Sequence, residues 1–252
     1  MSKIKAITSS NSDHDRERAL DALFNQMVED AEVNIELPSK GKFYADLDKI
    51  VIEPLTYQEE ERILRSKNSG TAAINMLLTN CVKGVAVPDL LQMDKLYLLL
   101  KVREVSYGPE YKFSVACPHC DTDVSTEIDM ATGLNITQVE DDLEDPRTVK
   151  LPKLGVDAVV RFPRVREESF LTDGEDTIKN LHRFVMSING NDDSVFISKA
   201  LKRLHLIDVK TVIKEVVRGE YGVDPRFVFE CPHCKGTATM AIPLDIDFFS
   251  VS

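Results

Sequence analysis

A chain of 252 residues that is 43% hydrophobic can bury a substantial core, as one large domain or two smaller ones. Its 42 acidic and 31 basic residues leave a formal charge of -11, which speaks against non-specific nucleic-acid binding and points to protein partners. No stretch approaches the run of about 18 apolar residues that a membrane helix needs, and the polar start lacks the apolar core of a signal peptide, so a cytoplasmic chain without a membrane span is expected.

In chain order, residues 1–36 read as an N-terminal arm. Within it Ser12 to Val28 fits a helix that Ser12 could cap, with Leu20, Leu23, Phe24 and Met27 on one face and Asp15, Arg16, Glu17 and Arg18 elsewhere. That stripe suits either packing on its own protein or docking on another subunit.

From Leu37 onward the sequence repeats itself. A shift of 114 residues carries Cys117-Pro118-His119-Cys120 onto Cys231-Pro232-His233-Cys234. The same shift carries Tyr107-Gly108 onto Tyr221-Gly222, Phe113 onto Phe227, Asp94 onto Asp208, Leu37-Pro38 onto Leu151-Pro152 and Gly41 onto Gly155. Between these anchors the spacing slips, since Pro54 best matches Pro163, a shift of 109. Two divergent copies are expected, a first repeat over 37–136 and a second over 151–252, with an acidic linker over 137–150.

Each copy opens on a short extended segment and a proline. Helical patterns follow at Tyr57 to Ser66 and Thr71 to Val82 in the first copy, and at Glu167 to Leu171 and Thr177 to Ile188 in the second. A further helix is expected near Asp89 to Glu104 and near Val195 to Arg218, stopped by Gly108 and Gly222, because glycine tolerates the left-handed backbone after a helix end. The acids Glu140 to Pro146 read as a solvated spacer. The run Glu59-Glu60-Glu61 and the pair Glu167-Glu168 read as acids that favour a helix start rather than catalytic carboxylates.

Each copy closes on a C-P-H-C motif. Four of the five cysteines lie in these two pairs, too few for a disulfide scaffold; Cys81 follows an apolar run and reads as a small core residue. C-P-H-C is also an active-site motif of thiol oxidoreductases, where it opens a helix whose dipole stabilises the thiolate. Here strand-like segments flank it on both sides, Tyr111 to Val115 and Asp121 to Ile128 in one copy, Phe227 to Phe229 and Lys235 to Ile242 in the other. Strand, knuckle, strand is the hairpin of a zinc site. Two knuckles supply four thiolates, so Cys117, Cys120, Cys231 and Cys234 are the expected ligands of one structural Zn2+.

The expected fold class is therefore α+β: two tandem divergent copies of a helical unit ending in a β-hairpin zinc knuckle, joined at a shared four-cysteine zinc site with pseudo-twofold symmetry. His119 and His233 read as exposed turn residues. Two separate two-cysteine sites, or a homo-oligomer that exchanges knuckles between chains, stay open. A closed four-sulfur site leaves no position for water or substrate, and no phosphate-loop, dinucleotide-loop, zinc-protease or serine-hydrolase motif occurs. His14, His182 and His205 stand alone. No catalytic residue is expected.

The segments Leu37-Pro38-Ser39-Lys40-Gly41-Lys42-Phe43-Tyr44, Ile52-Glu53-Pro54-Leu55-Thr56 with Glu59-Glu60, and Ser106-Tyr107-Gly108-Pro109-Glu110-Tyr111 leading into Cys117 resemble the baseplate hub subunit and hub assembly family of T4-like contractile-tailed bacteriophages. The resemblance covers about Leu37 to Asp245. It implies a non-enzymatic role in virion assembly, in the host cytoplasm or in the tail baseplate, with other baseplate or hub proteins as partners. The competing expectations are a thiol-disulfide oxidoreductase using the C-P-H-C motifs and a zinc-ribbon nucleic-acid adaptor, the latter disfavoured by the net charge.

Overall fold

The computed structural model describes residues 14–21, 33–45, 47, 49–65, 70–171, 174–217, 221–244 and 246–249. The arm contributes one helix, α1 (14–21), whose Leu20 is exposed. Leu23, Phe24 and Met27, the rest of the expected docking stripe, lie outside the described residues.

The first body begins with an antiparallel three-stranded sheet of β1 (Val33–Ile35), β2 (Ile50–Ile52) and β3 (Val82–Lys83), with β2 in the middle. Between β2 and β3 run α2 (Tyr57–Arg65) and α3 (Thr71–Cys81). The Glu59 carboxylate turns back to accept the Thr56 N–H at 3.1 Å, satisfying a donor at the start of α2. Cys81 is buried in the core beside Leu77 and Leu78, and loss of water pushes its thiol up to about 12.

The central helix is α4 (Gln92–Tyr107), which buries Leu98, Leu99, Leu100 and Val102. Gly108, at φ 90°, ends it and donates its N–H to the Glu104 carbonyl, in a backbone region that an L side chain rarely adopts. The hairpin β4 (Glu110–Ala116) and β5 (Asp123–Asp129) follows, its alternating Tyr111, Phe113 and Val115 turned inward. A short β6 (Asn135–Thr137) then leads into the acidic segment.

That segment is not the solvated spacer its composition suggests. Val139 and Leu143 are buried with Leu91, Phe162 and Tyr221 in a cluster between the two bodies. The Asp145 carboxylate accepts the Phe162 N–H at 2.7 Å and the Arg164 guanidinium at 2.9 Å. Apolar residues placed among the acids thus dock the segment, while most of its carboxylates face water.

The second body begins with its own antiparallel three-stranded sheet of β7 (Arg147–Lys150), β8 (Asp157–Val160) and β9 (Val185–Ile188), with β8 in the middle. The expected helix over Thr177 to Ile188 is shorter. Helix α5 (Gly174–Asn180) and a 3-10 turn (Leu181–Arg183) precede β9, because Val185 and Ile188 pair with β8 and bury there. The expected helix over Val195 to Arg218 is two helices, α6 (Ser194–Leu201), capped by the Asp193 carboxylate, and α7 (Leu206–Val216). The extended backbone of His205 breaks the run and restarts the helix so that Asp208 falls in its first turn. Gly222, expected to stop this helix, instead opens β10 (Gly222–Asp224), which pairs antiparallel with β6 of the first half.

The second hairpin, β11 (Arg226–Glu230) and β12 (Thr237–Ala241), does not join the second body's core. Phe229, Cys231 and Ile242 pack into the first body's core, together with the chain end Phe248 and Phe249. The second body keeps its own smaller cluster, which includes Leu151, Phe184, Ile188, Ile197 and Val212. Among the described residues no helix is long and apolar enough to cross a membrane.

Candidate metal centre

Each hairpin tip is a tight turn held by the same pair of backbone bonds. In the first, Cys117 donates its N–H to the Thr122 carbonyl at 3.0 Å and Asp121 donates to the Cys117 carbonyl at 2.8 Å. In the second, Cys231 donates to Gly236 at 2.9 Å and Lys235 to Cys231 at 3.0 Å. Asp121 and Lys235, 114 residues apart, both take the left-handed backbone, at φ 56° and 60°. The turn curls each C-P-H-C segment so that both of its sulfurs face one point.

The two points coincide. All four Sγ atoms of Cys117, Cys120, Cys231 and Cys234 lie within 4.8 Å of one another. Cys117 Sγ is 3.7 Å from Cys234 Sγ, and Cys120 Sγ is 3.7 Å from Cys231 Sγ. A disulfide requires about 2.05 Å, and all four are free thiols. A tetrahedron of sulfurs about 2.3 Å from a central zinc has edges of about 3.8 Å, so the observed spacing fits a four-thiolate metal site. Cys117 and Cys231 are buried, while Cys120 and Cys234 sit at the surface.

The two surface thiols are shifted in opposite directions. The hydroxyl and backbone of Thr122 hold Cys120 down to about 6. The Gly236 N–H pulls Cys234 down too, but desolvation and the neighbouring sulfurs outweigh it and push this thiol up to about 12.

The hairpins also meet below the tips, where the Phe113 and Phe227 rings pack edge to face at 5.4 Å. His119 is exposed, as expected of a turn residue, and its Nε2 lies 3.0 Å from the Thr237 carbonyl of the other hairpin. Gly236 leaves the space for that ring, since a Cβ there would come within 2.5 Å of it. His233 is exposed. His182 lies beside its own helix end, and His205 precedes α7.

Three features went unread in the sequence. Lys95 and Glu168 form a largely buried ion pair at 2.5 Å between the two bodies, with Asn75 also donating to Glu168. The Arg161 guanidinium and the Arg164 backbone N–H both donate to Glu167, whose carboxyl lies below the usual range: desolvation opposes the shift, but these bonds prevail. Phe248 and Phe249 return the chain end to the first core, a role that only their apolar character near the terminus could have signalled.

The fold and site define an α+β protein whose two hairpins meet at a four-cysteine cluster. The family model described as T4 bacteriophage base plate protein matches residues 28–250, and the chain belongs to that family. No curated protein and no solved structure matches.

Proposed function

We propose that this protein is a non-enzymatic subunit or assembly factor of the baseplate hub, working through protein surfaces and clamped by one structural zinc on Cys117, Cys120, Cys231 and Cys234. The observation that carries the reading is the sulfur cluster where the two hairpins meet, 3.7 Å along each cross-hairpin edge. Its partners are other phage tail proteins of the baseplate. It acts where the tail is assembled, in the host cytoplasm, and in the baseplate of the virion.

The zinc is a clasp between two divergent copies of one unit. Three sets of observations support the duplication. The strand registers of the two hairpins coincide at a shift of 114, as Ala116↔Asp123 and Glu230↔Thr237 illustrate. Ser39 donates its N–H to the Asp94 carboxylate at 3.1 Å, and Lys153 donates to Asp208 at 2.7 Å, each pair 55 residues apart. Cys117 meets the counterpart of Cys120, and Cys120 the counterpart of Cys117, while Phe113 meets its own counterpart Phe227. Such reciprocal contacts are the signature of a twofold axis, here a pseudo-twofold through the metal.

All four sulfurs come from one chain, which favours an intrachain site over one shared in a homo-oligomer. With zinc filled by four thiolates, the metal supplies no open position for catalysis; its contribution is stability. The sequence spacing of Leu20, Leu23, Phe24 and Met27 supports a docking role for the arm toward a neighbouring subunit, and Leu20, the one of them that is described, is exposed.

The test of the class is affinity capture of the tagged protein from infected cells with mass spectrometry of the eluate. Baseplate and hub proteins in reproducible excess over a mock capture are expected. Their absence, combined with thiol-dependent insulin reduction by the purified protein, would instead assign the cluster to the oxidoreductase reading.

A further inference from the structure

The two bodies carry the same surface feature, but only one of the two is covered. In the first body the turn Leu37 to Gly41 lies beside the start of α4, tied by Ser39 to Asp94, and the acidic segment sits on it. Val139 donates its N–H to the Pro38 carbonyl at 2.9 Å. The Asp141 carboxylate lies 3.5 Å from Lys40 Nζ, and the Asp141 carbonyl accepts from Lys42. Val139 and Leu143 are buried, and Pro38 and Ser39 are buried with them.

In the second body the turn Leu151 to Gly155 lies beside the start of α7, tied by Lys153 and Leu154 to Asp208. Gly155 repeats the left-handed backbone of Gly41, at φ 78° against 71°. Here nothing among the described residues lies on top. Pro152, Lys153 and Leu154 are exposed, and Leu206 and Ile207 stand 77% and 57% exposed in the first turn of α7. Around them Lys153, Lys202, Arg203 and Lys210 are all exposed, with no ion pair to an acid among the described residues. A basic, apolar surface on a chain of net charge -11 runs against the composition of the whole. Exposed leucine and isoleucine grouped in this way mark an interaction site.

We infer that this face of the second body binds an extended acidic segment of a partner protein, with two apolar residues four positions apart among carboxylates, as Val139 and Leu143 are in the chain's own acidic segment. The apolar pair would cover Leu154, Leu206 and Ile207, and the carboxylates would meet the lysines and Arg203. The chain's own acidic segment is already seated on the first body, so it is not the occupant. The inference uses the correspondence between the two bodies and is independent of the zinc.

The probe is a fluorescent peptide copying residues 138–144, titrated into the intact protein and followed by anisotropy. Saturable binding is expected, weakening about tenfold as ionic strength rises from about 0.05 M to about 0.5 M, because the screening length contracts from roughly 14 Å to roughly 4 Å. Leu206→Ser with Ile207→Ser should weaken it by at least about tenfold, as loss of a central apolar anchor does, with unchanged melting to show that the fold survives. Lys40→Ala should leave binding unchanged. No binding at low salt, or binding abolished by Lys40→Ala and indifferent to Leu206 and Ile207, would overturn the inference. Self-association in sedimentation that Leu206→Ser removes would overturn it as well, by making a second copy the occupant.

Discussion

The carboxylate of Asp94 accepts the backbone N–H of Ser39 at 3.1 Å, pinning a turn of the first body to the start of its central helix. Its second oxygen accepts the Tyr44 hydroxyl at 2.6 Å, and that hydroxyl oxygen accepts the Leu91 N–H. A fully buried carboxylate therefore ties together two segments that are distant in sequence, Ser39 to Tyr44 and Leu91 to Asp94.

Burial raises the pKa of Asp94 despite the bonds from Tyr44 and Ser39 that favour its charge. A raised folded-state pKa gives stability that is fully present below the unfolded value, about 3.9, and is lost as pH rises through the folded value. The stability of wild type relative to Asp94→Asn should thus be greatest below about pH 4 and decline above it, as read by urea denaturation across a pH series. A pH-independent difference would contradict the assignment. Asp94→Ala should cost about 1–3 kcal/mol from the donors it leaves unpaired, with the difference again greatest at low pH.

The Lys95–Glu168 pair predicts an asymmetry between single and double substitution. Glu168→Ala leaves the Lys95 ammonium buried without its partner and should destabilise by about 3 kcal/mol, whereas Lys95→Met with Glu168→Leu should recover most of that. A double-mutant cycle in chemical denaturation checks this; additive single effects would show that the pair is not coupled.

Phe248 is fully buried, its ring 4.9 Å from that of Tyr111, and the Tyr107 hydroxyl donates to the Phe249 carbonyl. Phe248→Ala should cost about 3–5 kcal/mol. The melting temperature of the variant is the measurement, and a loss below about 1 kcal/mol would mean that the chain end does not belong to the core.

The hairpins could be read in the sequence because their signal is local. Tyr111, Phe113 and Val115 alternate with polar residues before the first C-P-H-C motif, Phe227 to Phe229 precede the second, and threonine-rich segments follow both, a pattern of strands. Helices α2, α3 and α4 were legible within a few residues for the same reason. The second body was less so. Val185 to Ile188 also fits a helical face, and only the pairing with β8 decides for a strand. The break at His205 carries no glycine or proline; the long-range contact there is the Lys153 N–H donating to the Asp208 carboxylate in the first turn of α7. The acidic segment misled through composition, its two buried apolar residues being outnumbered by carboxylates. Four cysteines in two pairs revealed the candidate site; the sequence could not reveal that the second hairpin abandons its own body to pack on the first core.

The direct test of the account is metal content. The protein, purified without chelators, should carry about one zinc per chain by elemental mass spectrometry, as a four-thiolate site requires. Cys117→Ser and Cys231→Ser should each lose that zinc, and chelation should lower the melting temperature of wild type while leaving the metal-free variants unmoved. A wild-type chain that is zinc-free and melts unchanged with chelator would contradict the clasp.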